Sequence, residues 1–199
     1  MAKRKSTMEN LVIEKKFWKG RSVFITGHTG FKGGWLALWL NEMGAKVYGY
    51  SLSPKTKKNF FKITNLEKKI YKSFVSFDIR DIKNLKKKLK YSRPSIIFHL
   101  AAQPIVRDSY VDPLNTLSTN IIGTANVFEA AREVDSIKII INVTSDKCYE
   151  NQENKQPFHE NSSLGGRDPY SGSKACAEII TKVYEKSFLT NNKIKLASV

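Results

Sequence analysis

Near the start of the chain, a short β-branched run passes directly into a glycine-rich turn and then into an apolar helix. The segment reads VFITGHTGFKGGW over residues 23–35, with glycines at Gly27, Gly30 and Gly33. Glycine has no Cβ, so backbone N–H groups can come close to a ligand, and a helix beginning near Phe31 would point its positive end at the same place. This order is typical of a dinucleotide pyrophosphate site, although an ordinary glycine turn between strand and helix has the same local elements.

Strand and helix patterns alternate along most of the chain. Strand candidates occupy residues 22–26, 46–51, 73–77, 95–100, 137–143 and 194–199. Apolar residues recur at helical spacing between them, as over Phe31–Met43 and Leu114–Val134. This alternation predicts an α/β fold of Rossmann type, a doubly wound parallel sheet with helices on both faces. The glycine turn, Ala101–Ala102 and Ser145–Lys147 would then follow strand ends on the one rim where such sheets bind ligands.

A tyrosine and a lysine stand four residues apart after the fifth strand candidate, in the segment DPYSGSK that contains Tyr170 and Lys174. A spacing of four places both side chains on one face of a helix. An ammonium beside a phenol favours the phenolate, which can then act as a base. The spacing alone is common in a lysine-rich chain. It becomes informative because it follows the glycine turn and falls before the sixth strand candidate.

Five segments carry a resemblance to a known family: GHTGFKGGWL (27–36), HLAAQPIVRDSY (99–110), STNIIGT (118–124), TSDKCY (144–149) and DPYSGSK (168–174). Together they resemble the extended short-chain dehydrogenase/reductase superfamily and, within it, the nucleotide-sugar 4,6-dehydratases, nearest to their CDP-glucose branch. The likeness runs from roughly residue 17 to the C-terminus. It implies an NAD-dependent lyase that converts CDP-glucose to a 4-keto-6-deoxy sugar for surface polysaccharide.

The resemblance implies a set of catalytic residues: Ser145, Asp146, Lys147, Tyr170, Lys174 and Asn120. Tyr170 would take the proton of the sugar C4 hydroxyl, and Lys174 would keep Tyr170 ionised and hold the nicotinamide ribose. Ser145 would hydrogen-bond the C4 oxygen, while Asp146 would protonate the hydroxyl that leaves C6. Asn120 would complete the group by positioning a water or a backbone kink near the tyrosine.

Lys147 departs from the pattern of many relatives, which have a glutamate here as the base at C5. The S-D-K order is shared by the CDP-glucose branch, so Lys147 is expected to mark that branch and to be the candidate C5 base. A lysine can act as a base only where burial or neighbouring cations favour its neutral form. A surface ion pair at Asp146–Lys147 and a solvent-facing helix position for Asn120 remain open alternatives.

The resemblance also implies a set of cofactor-binding residues: Gly27, Gly30, Phe31, Lys32, Gly33, Asp78, Ile79, Ala101, Ala102, Gln103, Tyr170 and Lys174. Asp78–Ile79 would recognise adenine, with a helix N-cap near Asp81 as the alternative. An acidic residue about twenty positions beyond the glycines usually binds the ribose 2′-OH of NAD. The stretch Tyr50–Lys55 contains none, and its serines and lysine also suit the 2′-phosphate of NADP. We expect NAD, because the most similar relatives pair this serine with NAD, and NADP stays open.

Composition narrows the partners and the compartment. The chain has 34 Lys plus Arg against 18 Asp plus Glu, a net charge of +16. The lysines are scattered or lie in stretches such as Lys83–Lys90 without a nucleic-acid-binding motif, so a solvated face with a general attraction for phosphates is expected rather than a nucleic-acid partner. No apolar run is long enough for a bilayer and the first residues lack a signal-peptide core, which predicts the cytoplasm. Cys148 and Cys176 are expected to be reduced, and no metal is expected.

The ends of the chain suggest its domain organisation. Residues 1–20 are charged and polar and are expected to be an extension, and residues 21–199 the Rossmann domain. The chain stops inside the sixth strand candidate, whereas proteins that resemble it continue into a smaller substrate domain. We therefore expect the N-terminal portion of an enzyme that is a homodimer when complete. A UDP-N-acetylhexosamine 4,6-dehydratase and a non-catalytic cofactor-binding remnant are the alternatives.

Overall fold

The computed structural model describes residues 15–151, 157–189 and 194–199. Within them, a six-stranded sheet has the order β3-β2-β1-β4-β5-β6, and all paired strands are parallel. The strands are β1 Ser22–Thr26, β2 Lys46–Ser51, β3 Lys72–Val75, β4 Ile96–His99, β5 Ile139–Asn142 and β6 Lys195–Ser198. Strand order reverses between β1 and β4, as in doubly wound Rossmann sheets. The predicted fold class is confirmed.

The helices lie between the strands in sequence: α1 Phe31–Glu42, α2 Phe60–Ile63, α3 Leu66–Lys69, α4 Ile82–Ser92, α5 Val106–Val111, α6 Pro113–Leu117, α7 Gly123–Ala131 and α8 Pro169–Tyr184. Two π-helical turns, Ser118–Ile122 and Glu185–Leu189, and a 3₁₀ turn, Asp146–Cys148, are also present, and residues 15–18 are helical ahead of β1. Each of these helices is too short or too polar to cross a membrane.

The two faces of the sheet are covered by different helices. Successive residues of a strand point to opposite faces, so Phe24 packs in one apolar core and Val23 and Ile25 in the other. Leu85 of α4 and Phe128 of α7 belong to the first core. Ala37 and Leu40 of α1 belong to the second, together with Leu66 of α3. Continuous apolar strands are thus explained by burial on both sides.

The predicted helix Leu114–Val134 differs from the structure in its continuity and its end. It is divided into α6, the π-helical turn and α7, and it ends at Ala131. The helix starts at Pro113 because the side chain of Asp112 caps it, accepting a hydrogen bond from Asn115 N at 3.0 Å. Pro113 is the first helical residue, a position that proline favours. The π-helical turn contains Asn120, whose tertiary contacts are described below.

Other predicted bounds shift by one or two residues. β3 spans Lys72–Val75 rather than 73–77 because Ser76 adopts a left-handed backbone, φ +67, which ends the strand. The segment Lys83–Lys90 lies in α4, with its longest side chains mostly toward solvent, as predicted. Cys148 and Cys176 are free thiols, also as predicted. Of the predicted extension, residues 1–14 lie outside the described residues.

Candidate active site

The glycine turn after β1 is shaped so that only glycine fits at its key positions. Gly27 has φ +80, and a Cβ there would lie 2.8 Å from the backbone nitrogen of Ala101. A Cβ on Gly33 would overlap the carbonyl oxygen of Gly27. Gly30 caps α1 without a side-chain hydrogen bond. The first N–H groups of α1 therefore face the turn without a side-chain partner from the cap, the arrangement that suits an anion.

A cleft of about 710 Å³ opens above this turn at the carboxyl ends of the strands. The predicted residues that line it are Gly27, Gly30, Phe31, Lys32, Gly33, Asp78, Ile79, Ala101, Ala102, Tyr170 and Lys174. Among the described lining residues one is acidic, Asp78, and three are lysines, Lys32, Lys55 and Lys174. This charge balance favours an anionic ligand.

Five predicted site residues are not among those that line the cleft: Gln103, Asn120, Ser145, Asp146 and Lys147. The first two are buried behind its wall, with 6% and 2% of their surface exposed. The last two are exposed on the loop after β5. The structure therefore brings together the Tyr–Lys pair and the predicted cofactor residues other than Gln103, and leaves Gln103 and the remaining catalytic candidates beside or behind them.

Tyr170 and Lys174 lie one turn apart in α8 and both line the cleft, as their spacing predicts. The helix begins where Asp168 accepts a hydrogen bond from Ser171 N at 2.9 Å, which sets Tyr170 in the first turn. Burial lowers the pKa of Lys174 to about 8, Lys32 acts in the same direction, and Glu178 opposes both. The amine is thus mostly an ammonium at neutral pH, close to the phenol it is expected to serve.

Asn120 is buried in the π-helical turn, so its solvent-facing alternative is wrong. Its Oδ1 accepts from Gln103 N at 2.8 Å, and its Nδ2 donates to Gln103 O at 3.1 Å and to Ser173 Oγ at 2.8 Å. Ser173 Oγ in turn donates to the carbonyl of Tyr170 at 2.6 Å. Asn120 therefore joins the loop after β4 to the first turn of α8.

A buried histidine extends this network and was not singled out by the sequence. Thr26 Oγ1 accepts from two backbone N–H groups of the loop after β4, so its own proton goes to His99 Nδ1 at 2.7 Å. His99 Nε2 then donates to Thr124 Oγ1 at 3.0 Å, and Thr124 donates to Asn120 O at 2.6 Å. Burial, with Lys174 next, lowers the pKa of His99 to about 3, so the ring stays neutral.

The loop after β5 carries the remaining catalytic candidates in a 3₁₀ turn. Ser145 Oγ donates to Asp146 Oδ1 at 3.1 Å and accepts from Lys147 N at 3.2 Å. Asp146 and Lys147 are exposed, and no ion pair of the described residues joins them. The ion-pair alternative is therefore not realised. Lys147 also lacks the burial that a lysine base needs.

Asp78 and Ile79 follow β3 at the far end of the cleft. The Asp78 carboxylate pairs with Arg80 at 2.6 Å, and this side-chain contact holds its pKa below the usual range. Ile79 is 4% exposed and leaves no room for a side chain at Gly123. Asp81 does cap α4, since its Oδ1 accepts from Asn84 N at 3.0 Å. The N-cap and the cleft-lining pair thus exist side by side.

Ser51 occupies the end of β2, where an acidic residue would bind ribose. Thr29 Oγ1 donates to Leu52 O at 2.8 Å, and it also lies 2.7 Å from Ser51 Oγ. Because the Thr29 proton is already used, Ser51 must donate to Thr29 in that second bond. Ser51 therefore has only acceptor capacity left for the cleft that it lines.

Several polar neighbours of the candidate site were not identified from the sequence: Thr26, His28, Thr29, His99, Thr124, Thr144 and Glu178. His28 is fully buried under the turn, with Nε2 at 2.7 Å from Ser73 Oγ, and burial lowers its pKa to about 4. It occupies the space that a side chain at Gly49 would need. For Glu178 a signal was present, since it stands eight residues after Tyr170 and so shares its helical face.

The parallel sheet, glycine turn and buried Tyr–Lys pair define the chain as an extended short-chain dehydrogenase/reductase. Within that class it belongs to the family described as GDP-mannose 4,6 dehydratase, whose model matches residues 24–194. A CDP-glucose 4,6-dehydratase from Salmonella typhimurium is 48% identical over 177 residues, 89% of this chain and 49% of that protein. A dTDP-D-glucose 4,6-dehydratase from Dictyostelium discoideum is 30% identical over 84% of this chain and 41% of its own length.

Solved structures show the same fold. The epimerase Mth375 from Methanothermobacter thermautotrophicus superposes with a TM-score of 0.79 at 25% identity, covering 97% of this chain and 55% of its own. A UDP-glucose 4-epimerase from Brucella ovis, solved in complex with NAD, gives 0.74 at 22% identity, covering 90% and 51%. The chain spans about half the length of the curated relatives it matches. The predicted family resemblance is confirmed.

Proposed function

We propose that this chain provides the NAD-binding part of a nucleotide-sugar 4,6-dehydratase that acts on CDP-glucose. The observation that carries the proposal is the buried pair Tyr170 and Lys174, which opens onto a cleft with a glycine turn at its base. The similarity to a CDP-glucose 4,6-dehydratase supports the substrate. In this proposal residues 1–20 are an extension and residues 21–199 the cofactor domain.

The cleft fits a dinucleotide. Gly27 and Gly33 leave a backbone cradle that any Cβ would fill, and Lys32 adds positive charge beside it. The pyrophosphate is assigned to this turn, the adenine to Asp78–Ile79 and the nicotinamide ribose to Lys174. Of the other predicted cofactor contacts after β4, Ala101 and Ala102 line the cleft and are assigned to the ribose, while Gln103 lies behind the wall of the cleft. Bound NAD supplies the hydride acceptor for oxidation at C4 and returns the hydride at C6.

The hydrogen-bond direction at Ser51 favours NAD over NADP. An NAD ribose offers a 2′-hydroxyl proton, whereas a 2′-phosphate offers chiefly acceptor oxygens. The Ser51 hydroxyl donates its own proton to Thr29 and can therefore only accept a hydrogen bond from a ligand. It can accept one from the 2′-hydroxyl of NAD but cannot donate one to the 2′-phosphate of NADP. We expect calorimetry to show that NAD binds more tightly than NADP. A Thr29→Val variant frees the Ser51 proton and should reduce the difference between the two affinities. Clearly tighter binding of NADP by the unmodified chain would overturn this choice.

The residues then divide the chemistry between them. Tyr170 takes the C4 hydroxyl proton, and the Lys174 ammonium stabilises the phenolate that receives it. Ser145 hydrogen-bonds the C4 oxygen. Asp146 gives a proton to the hydroxyl leaving C6 as Lys147 removes the C5 proton, so that water is eliminated. The exposure of Asp146 and Lys147 leaves both open to a substrate, and the neutral form that Lys147 needs would have to arise when substrate covers it.

Turnover assays test the proposal. The chain, with NAD, is offered CDP-glucose and UDP-N-acetylglucosamine, and the 4-keto product is measured; Tyr170→Phe serves as the control that retains the cleft. Preference for CDP-glucose, lost in Tyr170→Phe, supports the proposal. Preference for UDP-N-acetylglucosamine would mean that the substrate is the UDP sugar and not CDP-glucose. NAD binding without any turnover would show that this chain alone binds the cofactor but does not carry out the reaction, and absence of NAD binding would refute the site.

The proposal includes an assembly and a compartment. Exposed apolar side chains on α5, α6 and the π-helical turn, Val111 at 86%, Leu114 at 77% and Ile122 at 54%, support a homodimer formed through these helices. Sedimentation should show a dimer that Leu114→Glu dissociates.

The free thiols support a reducing compartment, the cytoplasm, and the scattered lysines support a protein without a nucleic-acid partner. Salt-dependent retention on DNA would contradict the last point.

A further inference from the structure

Glu178 lies on the helix face that carries the Tyr–Lys pair, although the mechanism above does not use it. It follows Lys174 by four residues and Tyr170 by eight, all within α8. Its Oε1 accepts a hydrogen bond from Thr144 Oγ1 at 2.5 Å and another from Ser198 Oγ. One carboxylate oxygen therefore joins α8, the loop after β5 and the last strand.

Thr144 directly precedes the Ser145–Lys147 segment and itself lines the cleft. Its backbone N–H donates to Val199 O at 2.7 Å, while its hydroxyl approaches that same oxygen only at 3.4 Å. The short contact of the hydroxyl is thus the one to Glu178. Hydrogen bonds to a carboxylate are about twice as strong as neutral ones. The position of the loop relative to α8 depends on this carboxylate.

The titratable groups that surround Lys174 belong to four elements. Lys32 of α1 acts against its ammonium, and His99 of β4 is neutral. Cys148 of the 3₁₀ turn has its thiol pKa raised to about 11, chiefly by burial, so it too is neutral below that pH. Glu178, whose carboxylate opposes the effect of burial on the pKa of Lys174, is therefore the negative charge among these neighbours.

We propose that Glu178 is a positioning residue with two effects: its carboxylate holds Thr144, and with it the start of the Ser145–Lys147 segment, against the Tyr–Lys face, and its charge keeps Lys174 an ammonium. The proposal rests on the proposed function in one respect, the assignment of Lys174 to the cofactor and Tyr170. Its two effects are properties of the polypeptide alone.

The experiment measures both effects without cofactor. Lysine ε-carbons are labelled with ¹³C, and the Lys174 signal is identified by its loss in Lys174→Met. Its titration midpoint should lie near pH 8. In Glu178→Gln it should fall by about one unit, the low end of what one opposite neighbouring charge produces. Hydrogen exchange of the Lys147 and Cys148 amides, which are bonded to Ser145, should become roughly tenfold faster.

Three further variants separate charge from positioning. Glu178→Asp keeps the charge but is one methylene shorter, so its midpoint should stay near the wild-type value while exchange becomes faster. Thr144→Val should behave in the same way. Glu67→Gln removes an equal charge at an exposed site of α3 and should change neither. If Glu178→Gln does not fold, Glu178→Asp and Thr144→Val still test the positioning effect, and Glu178→Met, which also removes the charge, tests the charge effect by the same lysine titration.

An unchanged midpoint in Glu178→Gln overturns the charge effect, and unchanged exchange in both Glu178→Asp and Thr144→Val overturns the positioning effect. Calorimetry with NAD on the same samples keeps the two proposals apart. If the wild-type chain binds no NAD, the proposed function fails while the lysine titration and the exchange rates still decide the role of Glu178. If NAD binds and neither rate nor midpoint changes, only the role of Glu178 fails.

Discussion

The glycine turn after β1 and the loop after β5 both follow the carboxyl end of a parallel strand, yet they are built differently. In the turn, backbone packs against backbone: Gly27 leaves no room for a Cβ beside Ala101, and His28 is fully buried beneath it. In the loop, Asp146 and Lys147 are exposed and the 3₁₀ turn is held mainly by Ser145. The end proposed to bind the cofactor is shaped by packing, whereas the side chains proposed to react depend on a few hydrogen bonds.

This difference separates stability from chemistry. Changes at the turn remove space or add strain to a packed core, so they should lower the free energy of unfolding as well as cofactor affinity. Changes at the loop remove functional groups that contribute little packing, so they should affect turnover alone. Four measurements test this division.

Acid should produce the largest loss in the free energy of unfolding, because two buried histidines lie at or near the glycine turn. Burial holds the pKa of His28 at about 4 and that of His99 at about 3, below the ordinary 6.5. The unfolded chain takes up their protons first, so the stabilisation present above pH 6.5 is lost as pH falls, by roughly 2 kcal/mol per histidine at pH 4.5. Urea unfolding at both pH values measures the loss. His99→Gln should reduce its pH dependence, and His159→Gln, an exposed histidine, should not. Equal pH dependence in all three proteins would contradict the account.

Gly27→Ala should lower the free energy of unfolding by about 3 kcal/mol, from the left-handed backbone and the overlap with Ala101 together. Gly20→Ala is the matched control, since Gly20 also has positive φ but nothing within 4 Å of its added Cβ. It should cost about 1 kcal/mol. Equal losses in urea unfolding would show that close packing at the turn contributes nothing.

Asn120→Ala should cost about 2 kcal/mol, because the buried N–H and C=O of Gln103 lose their partner. Asn120 lies between the glycine turn and the loop after β5, so the loss of unfolding free energy should be intermediate between those of the two regions. Asn84→Ala removes a solvent-exposed amide that bonds to Asp81 and should cost within about 0.5 kcal/mol. Thermal or urea unfolding that ranks the two variants the other way would refute the role given to Asn120.

Asp146→Asn and Lys147→Ala should change the free energy of unfolding by less than about 0.5 kcal/mol, since both side chains are exposed. NAD affinity should also be unchanged, because neither residue lines the cleft. If the proposed mechanism holds, exchange of the sugar C5 proton with solvent should be lost in Lys147→Ala. Normal C5 exchange in that variant would remove Lys147 as the base, and a large loss of stability would show that the loop is packed after all.

Much of the architecture was predictable because it depends on residues near each other in the chain. The strands were predicted to within about two residues, and the helix starting near Phe31 is confirmed. The shared face of Tyr170 and Lys174 follows from the helical period alone. The break in Leu114–Val134 was not predictable, because it accompanies contacts between Asn120 and a residue 17 positions away.

The sequence alone determined the class of fold, the place of the glycine turn and the pairing of tyrosine with lysine, since strand and helix periods and the absence of a Cβ act locally. The tertiary structure decided which polar groups meet. Thr144 and Glu178 are 34 positions apart, and the direction of the Ser51 hydrogen bond depends on how Thr29 is already bonded. Hydrogen-bond partners across a folded sheet are set by packing of the whole core, which no local pattern encodes.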